Sequence, residues 1–304
     1  MEIAVIMLRQ IAIMALLVVV GIVLSRKGLL SEQGTKDLGA ILLRVICPAV
    51  ILKSYANAYS PERVRQLGLS FLLAFIALVV AMLISWFAFG TRRRIDNFGS
   101  SFGNVGFIGI PLVQAAIGEH GVFFIAASIA LLSMLQWTYG VFIMTGNKDA
   151  ISARTILKNP VVIAVVLSLV LFFTRLPVPD IVVSTLGYVG GMNTPVAMIL
   201  MGTYMARLPL RQILLEKKAY LCALFRLLVI PLATLLIFKL IPVSDKAVLL
   251  ATFLATATPV GANICIFAQQ NNCDYEYSVI TVCLTTLLSA ATVPLLASLA
   301  QTLL

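Results

Sequence analysis

Two short stretches carry groups able to hold an anion without a metal or a nucleophile. The first, "SFGNVGFIGIP" at 101–111, sets Ser101 and Asn104 among three glycines and ends on Pro111. The second, "TPVGAN" at 258–263, holds Pro259, Gly261 and Asn263. An Asn amide offers both donors and an acceptor, and glycine lets a ligand approach the backbone closely. Proline suits the first turn of a helix, where its missing N–H leaves nothing unpaired. Pro111 and Pro259 are therefore expected to start helices. The free N–H groups and roughly half a positive charge at each start favour a negative ligand.

A hydrolytic reading of the first stretch fails on geometry. "GSSFG" at 99–103 fits G-x-S-x-G, and Ser101 would then need a base. The one histidine, His120, is expected in the loop beyond the same helix, and about twenty helical residues span about 30 Å. The lysines sit mainly in loops, so no enzyme is expected, and small residues here ease helix packing. The five cysteines are odd in number and lie mostly within apolar runs, which suggests neither a disulfide framework nor a metal site. No cofactor is expected.

The elements that position these residues follow from composition. Of 304 residues, 61% are hydrophobic and 11% charged, and the mean hydropathy is +1.06. So few charges cannot cover a water-soluble surface. Backbone groups in lipid must pair within their own segment, so the expected class is an all-α polytopic membrane protein. The first apolar run lacks a basic start and a small-x-small cleavage site, and is expected to remain as the first helix. Apolar runs between breaks give ten spans, roughly 3–24, 37–57, 66–90, 98–118, 121–145, 159–175, 180–206, 213–240, 246–270 and 276–303.

The net charge of +10 does not point to nucleic acid, because no basic stretch is interleaved with aromatics. It sorts by loop instead. Arg26, Lys27, Lys36, Arg92, Arg93, Arg94, Lys148, Arg154, Lys158, Arg207, Arg211, Lys217 and Lys218 fall on one side. Lys53, Arg63, Arg65, Arg175, Lys239 and Lys246 fall on the other. The richer side is expected to be cytoplasmic, which places both termini outside a cytoplasmic (inner) membrane.

The two stretches also sit at matching places in the chain. Pro111 and Pro259 are 148 residues apart, as are Gly39 and Gly187, and Pro48 and Pro195 are 147 apart. An offset near half the chain implies two five-helix repeats, 1–145 and 159–304, joined by a short cytoplasmic linker at 146–158. Five is odd, so the second repeat enters the membrane inverted, and the interruptions in spans 4 and 9 then point toward each other. All twelve acidic residues lie at span ends or in loops, so an anion, a mono- or dicarboxylate, is favoured over a cation. Arg226 lies within the eighth span. It is read as a counter-charge for substrate, as a fixed charge linking helices, or as a group that snorkels or bonds carbonyls freed near Pro231.

"NVGFIGIPL" at 104–112, "TPVGANICIFAQQNN" at 258–272 and "RLLVIP" at 226–231 together resemble the auxin efflux carrier family, which includes the plant PIN-FORMED exporters. The resemblance covers nearly the whole chain. It implies a scaffold of helices 1, 2, 6 and 7 and a transport core of helices 3–5 and 8–10, with crossed helices 4 and 9 at its centre. It also implies elevator-like movement and a homodimer. The fifth helix would contribute Gln136 to the pocket, and Asn193 would line it from the scaffold or cap the half-helix that follows. The long cytoplasmic loop of many plant members is absent. A sodium-coupled organic-anion symporter of the bile-acid carrier type remains the alternative, because freed carbonyls and amides could also ligate sodium.

Overall fold

The computed structural model describes residues 2–147, 149 and 151–304. Lys148, counted above among the basic loop residues, and Ala150 in the 146–158 linker lie outside the described residues. The chain is helical throughout, and among the described residues the one strand-like contact is an isolated bridge between Gly103 and Val260. The main helices are α1 (Glu2–Arg26), α2 (Glu32–Tyr55), α3 (Pro61–Phe89), α4 (Arg94–Ser101), α5 (Val105–Ile117), α6 (Gly121–Thr145), α7 (Pro160–Thr174), α8 (Asp180–Gly191), α9 (Asn193–Ala206), α10 (Lys217–Leu240), α11 (Lys246–Thr256), α12 (Asn263–Gln270) and α13 (Tyr275–Leu303). Of these, α1, α2, α3, α6, α10 and α13 are long and apolar enough to cross a membrane, and α5, α7 and α11 are shorter apolar helices.

Local sequence explains the starts. Ser60 accepts the Arg63 N–H with Pro61 in the first turn of α3, and Asn159 accepts from Val161 and Val162 ahead of α7. Asp245 and Asp274 cap α11 and α13 in the same way. Three helices widen into a π turn that ends two residues before a proline. These turns are Leu42–Ile46 before Pro48, Val105–Gly109 before Pro111 and Phe225–Val229 before Pro231. In each, the N–H of the residue preceding proline reaches back five residues, as Ile110 does to the Val105 carbonyl. Proline lacks the N–H and its ring crowds the carbonyl four residues back, and the wider turn relieves both.

α1 packs along α9, and α2 against α7 and α8. α3 lies against α4, α6 and α11, and α10 against α13. Seven residues of α4, Ile95–Ser101, are buried, so the interrupted fourth span runs through the interior. The seventh span, read as one run at 180–206, is instead two helices, α8 and α9, meeting at Met192.

Candidate functional site

The interruptions in the fourth and ninth spans meet and satisfy one another. The Asn104 N–H donates to the Pro259 carbonyl at 2.8 Å, and the Gly261 N–H donates to the Phe102 carbonyl at 3.0 Å. Unpaired backbone is costly away from water, and this crossing pairs it across two helices rather than along one. The Val260 N–H finds the Thr285 hydroxyl at 3.2 Å. Close approach needs glycine here. A Cβ on Gly103 would overlap the Arg226 guanidinium and the Thr258 hydroxyl, and one on Gly261 would lie 3.0 Å from the Gly103 carbonyl oxygen.

Arg226 closes the crossing from behind. Its Nε donates to the Thr258 carbonyl at 2.8 Å, Nη2 to the Thr256 carbonyl at 2.7 Å, and Nη1 to the Ser100 carbonyl at 3.2 Å. These carbonyls lie at and just beyond the C-terminal ends of α4 and α11, where partial negative charge accumulates. The side chain is 2% exposed and, among the described residues, has no carboxylate partner. Of the three readings offered by the sequence, the geometry matches two: a fixed charge linking helices, and bonding to freed carbonyls, those of the crossing rather than those near Pro231.

The second half-helices start elsewhere than expected. The helix after the first break begins at Val105, six residues before Pro111, and Pro111 is carried inside it behind the π turn. The helix after the second break begins at Asn263, beyond Pro259. Pro259 lies in the extended segment, where only its carbonyl is needed. The N–H groups without helical partners are therefore those following Asn104 and Gly261, not those following the prolines.

Both new N-termini border one small cavity of about 40 Å³, lined by Asn104, Val105, Gly106, Gly261, Ala262 and Asn263 together with Cys47 and Ser133. The buried Nδ2 of Asn104 and Nε2 of Gln136 have no partner. Gln136 lies in a fourth π turn, Gln136–Gly140, and its Oε1 accepts the Asn263 Nδ2 at 3.1 Å. Asn193 reaches in from α9, where its Nδ2 donates to the Gly106 carbonyl at 3.1 Å and its Oδ1 accepts from Cys47 Sγ at 3.5 Å. It makes no side-chain cap. The structure thus brings Asn104, Gln136, Gly261 and Asn263 together, with Asn193 one bond away. Ser101 lies on the adjoining face with Arg226, its hydroxyl 3.4 Å from Asn97 Oδ1. His120 is in a separate cavity of about 240 Å³ with Lys53, Arg63 and Glu119.

A larger cavity of about 280 Å³ opens from the small one toward Lys36 and Arg207, sharing Leu43, Phe107, Ala262 and Asn263 with it. Its wall includes Arg44, Tyr204, Gln269 and Tyr275, none of which the sequence had marked as lining a site. No sequence signal marked them: Arg44 reads as one more arginine near a helix end, and the π turn that carries it is seen only in the structure. Asp96 keeps to the end of its span, in the first turn of α4, yet it is buried. It is 3% exposed in α4, bonded to Arg93 Nε at 2.8 Å and to the Tyr277 hydroxyl at 2.6 Å.

Interrupted apolar helices that meet at an internal polar crossing, within a bundle of membrane-length helices, define an integral membrane protein of the transporter class. Residues 6–297 match the family described as "Membrane transport protein", and the chain belongs to that family, the auxin efflux carrier family. It is similar to an uncharacterized transporter of Methanocaldococcus jannaschii, 24% identical over 62% of this chain and 66% of that protein. It is also similar to a Rhizobium meliloti protein carrying the name "Putative malonate transporter", 23% identical over 84% of each chain. Both relatives and the family are transporters rather than enzymes.

Proposed function

We propose that the protein is a secondary carrier of a small organic anion, a mono- or dicarboxylate, with its site at the crossing of the fourth and ninth spans. One observation carries this reading: two helix N-termini and the unpartnered amide donor Asn104 Nδ2 line one cavity that holds no carboxylate among its described lining residues, and Gln136, whose Nε2 is also unpartnered, bonds the cavity wall at Asn263. Asn104, Gln136, Asn263 and the N–H groups after Asn104 and Gly261 hold the anion. Gly261 permits backbone approach, Asn193 holds the Gly106 turn, and Arg226 with Ser101 supports the crossing from behind. Pro111 and Pro259 shape the two segments without touching substrate. The malonate named for the Rhizobium relative belongs to this chemical class.

The carrier has ten spans in two inverted repeats, 1–145 and 159–304, linked at 146–158, in the cytoplasmic membrane with both termini outside. Helices 1, 2, 6 and 7 form the scaffold of a homodimer, and the remaining helices move as an elevator. Packing of α1 on α9 and of α2 on α7 and α8 supports that division. The test is calorimetric titration of purified protein with small carboxylates, with and without sodium. Micromolar to millimolar binding by the wild type and its loss in Asn104→Ala/Asn263→Ala is the expected result. Undiminished binding in the double variant refutes the site. Binding that needs sodium selects the symporter instead.

A further inference from the structure

Resting on the crossing as the anion site, we infer that Arg44 is the residue that selects dicarboxylates over monocarboxylates. The 280 Å³ cavity is walled by α2, α9, α12 and α13, and Asn263 at the start of α12 marks where it meets the crossing. Three cations line it, and two are occupied. Lys36 pairs with Glu32 at 3.3 Å. Arg207 donates to the Tyr275 hydroxyl at 3.1 Å and lies over the Tyr204 ring at 5.8 Å. Among the described residues Arg44 has no ion-pair or hydrogen-bond partner.

The position of Arg44 along α2 sets its reach. Leu43 lines both cavities, and Cys47, about one turn further along, lines the small one. Arg44 therefore stands beside the mouth of the crossing. An anion whose first carboxylate sits on the half-helix N-termini projects the rest of its chain through that mouth. A second carboxylate one to three carbons away meets the Arg44 guanidinium, whose planar fork of donors matches a carboxylate in two-point contact. A monocarboxylate of the same length brings only a methyl group there and gains nothing from Arg44. The volume suits a ligand of this size and falls just below the range typical of drug-sized pockets.

The test compares malonate with propionate and succinate with butyrate, by titration of purified transporter in detergent at pH 7.5, where all carboxyls are ionised. The wild type is expected to prefer the dicarboxylate of each pair by roughly 10- to 100-fold, the range of a hydrogen-bonded charge contact. Arg44→Gln is expected to erase that preference while leaving monocarboxylate affinity within about twofold, and Lys36→Gln to change neither. Arg44→Lys, which keeps the charge without the fork, is expected to keep part of the preference and serves as the readout if the Gln variant does not fold. A wild type without preference, or an Arg44 variant that loses both ligand types equally, overturns the assignment and leaves the crossing intact as an anion site. A wild type that binds none of the four overturns both.

Discussion

Replacing Arg226 by Met separates bracing from substrate contact. Met has similar length and no donors. The change leaves the carbonyls of Ser100, Thr256 and Thr258 without their guanidinium partner in a buried site. An unsatisfied buried carbonyl costs roughly 1–3 kcal/mol, so three sum to about 3–9 kcal/mol. Removing the cation also removes its own desolvation cost of several kcal/mol, which offsets part of this loss. The net expectation is a destabilisation of about 2–5 kcal/mol, a large share of the total stability of a folded domain. Arg226→Lys should fall between, because one ammonium cannot reach three carbonyls spread over two helix ends.

The assay is unfolding of purified protein in detergent, followed by fluorescence of its two tryptophans, with carboxylate binding measured on the same samples. Bracing requires the unfolding midpoint to drop whether or not ligand is present. If Arg226→Met unfolds like the wild type and has only lost ligand affinity, the guanidinium contacts substrate and the bracing argument is refuted.

Three further substitutions probe the same crossing. Asn104→Ala deletes a buried donor that has no partner, so the unliganded protein should be as stable as the wild type or slightly more so, while carboxylate affinity falls roughly tenfold or more; thermal melts with and without ligand read both. Thr285→Val keeps the shape but strips the acceptor from the Val260 N–H, and should cost about 1–3 kcal/mol in chemical unfolding without altering which carboxylates bind. Gly103→Ala forces a methyl into the Arg226 guanidinium and the Thr258 hydroxyl, and should lower the midpoint by at least the ~1–3 kcal/mol of an overpacked core; a Gly103→Ala protein with wild-type stability would show that the crossing has slack.

Much of the crossing was legible because lipid leaves few options. Glycine, Asn and proline inside an apolar run of spanning length mark backbone that needs partners, and two such places at one offset suggest that they partner each other. Asn104 and Asn263 could be picked on that ground alone, and they line one cavity. The helix starts were not legible. Proline tolerates a first turn, an extended segment or a place behind a π turn, and local sequence does not distinguish them. Pro259 took the second and Pro111 the third, because the Asn104 N–H needed the Pro259 carbonyl. Thr285 could not be ranked above Thr281 by type or spacing. Both bond their own helix, but only Thr285 also faces an orphan N–H from another segment. Arg44 read as one more arginine near a helix end, since its distinction is its unpaired place on the wall of the larger cavity, which only the packed structure reveals.

The charges at the crossing explain why a second cation matters. Two half-helices end there, α4 and α11, and each contributes about half a negative charge at its C-terminus. Arg226 bonds carbonyls from both and cancels roughly that amount. Two half-helices also begin there, α5 and α12, and their N-termini contribute about half a positive charge each, with no carboxylate on the cavity wall to cancel it. The sum is close to one positive charge, which matches one carboxylate. A dianion placed on the same spot would carry an uncompensated negative charge into a low-dielectric interior, where it is most costly. Its second charge must rest on a cation within reach of the first, and Arg44 is the unpaired one at the mouth. The same accounting bears on energetics. Each negative charge moved outward through the membrane gains about 2.3 kcal/mol per 100 mV of inside-negative potential. In the proposed carrier, a dianion held by Arg44 would gain about twice the electrical driving force of a monoanion on outward movement, and its inward movement would demand correspondingly stronger coupling.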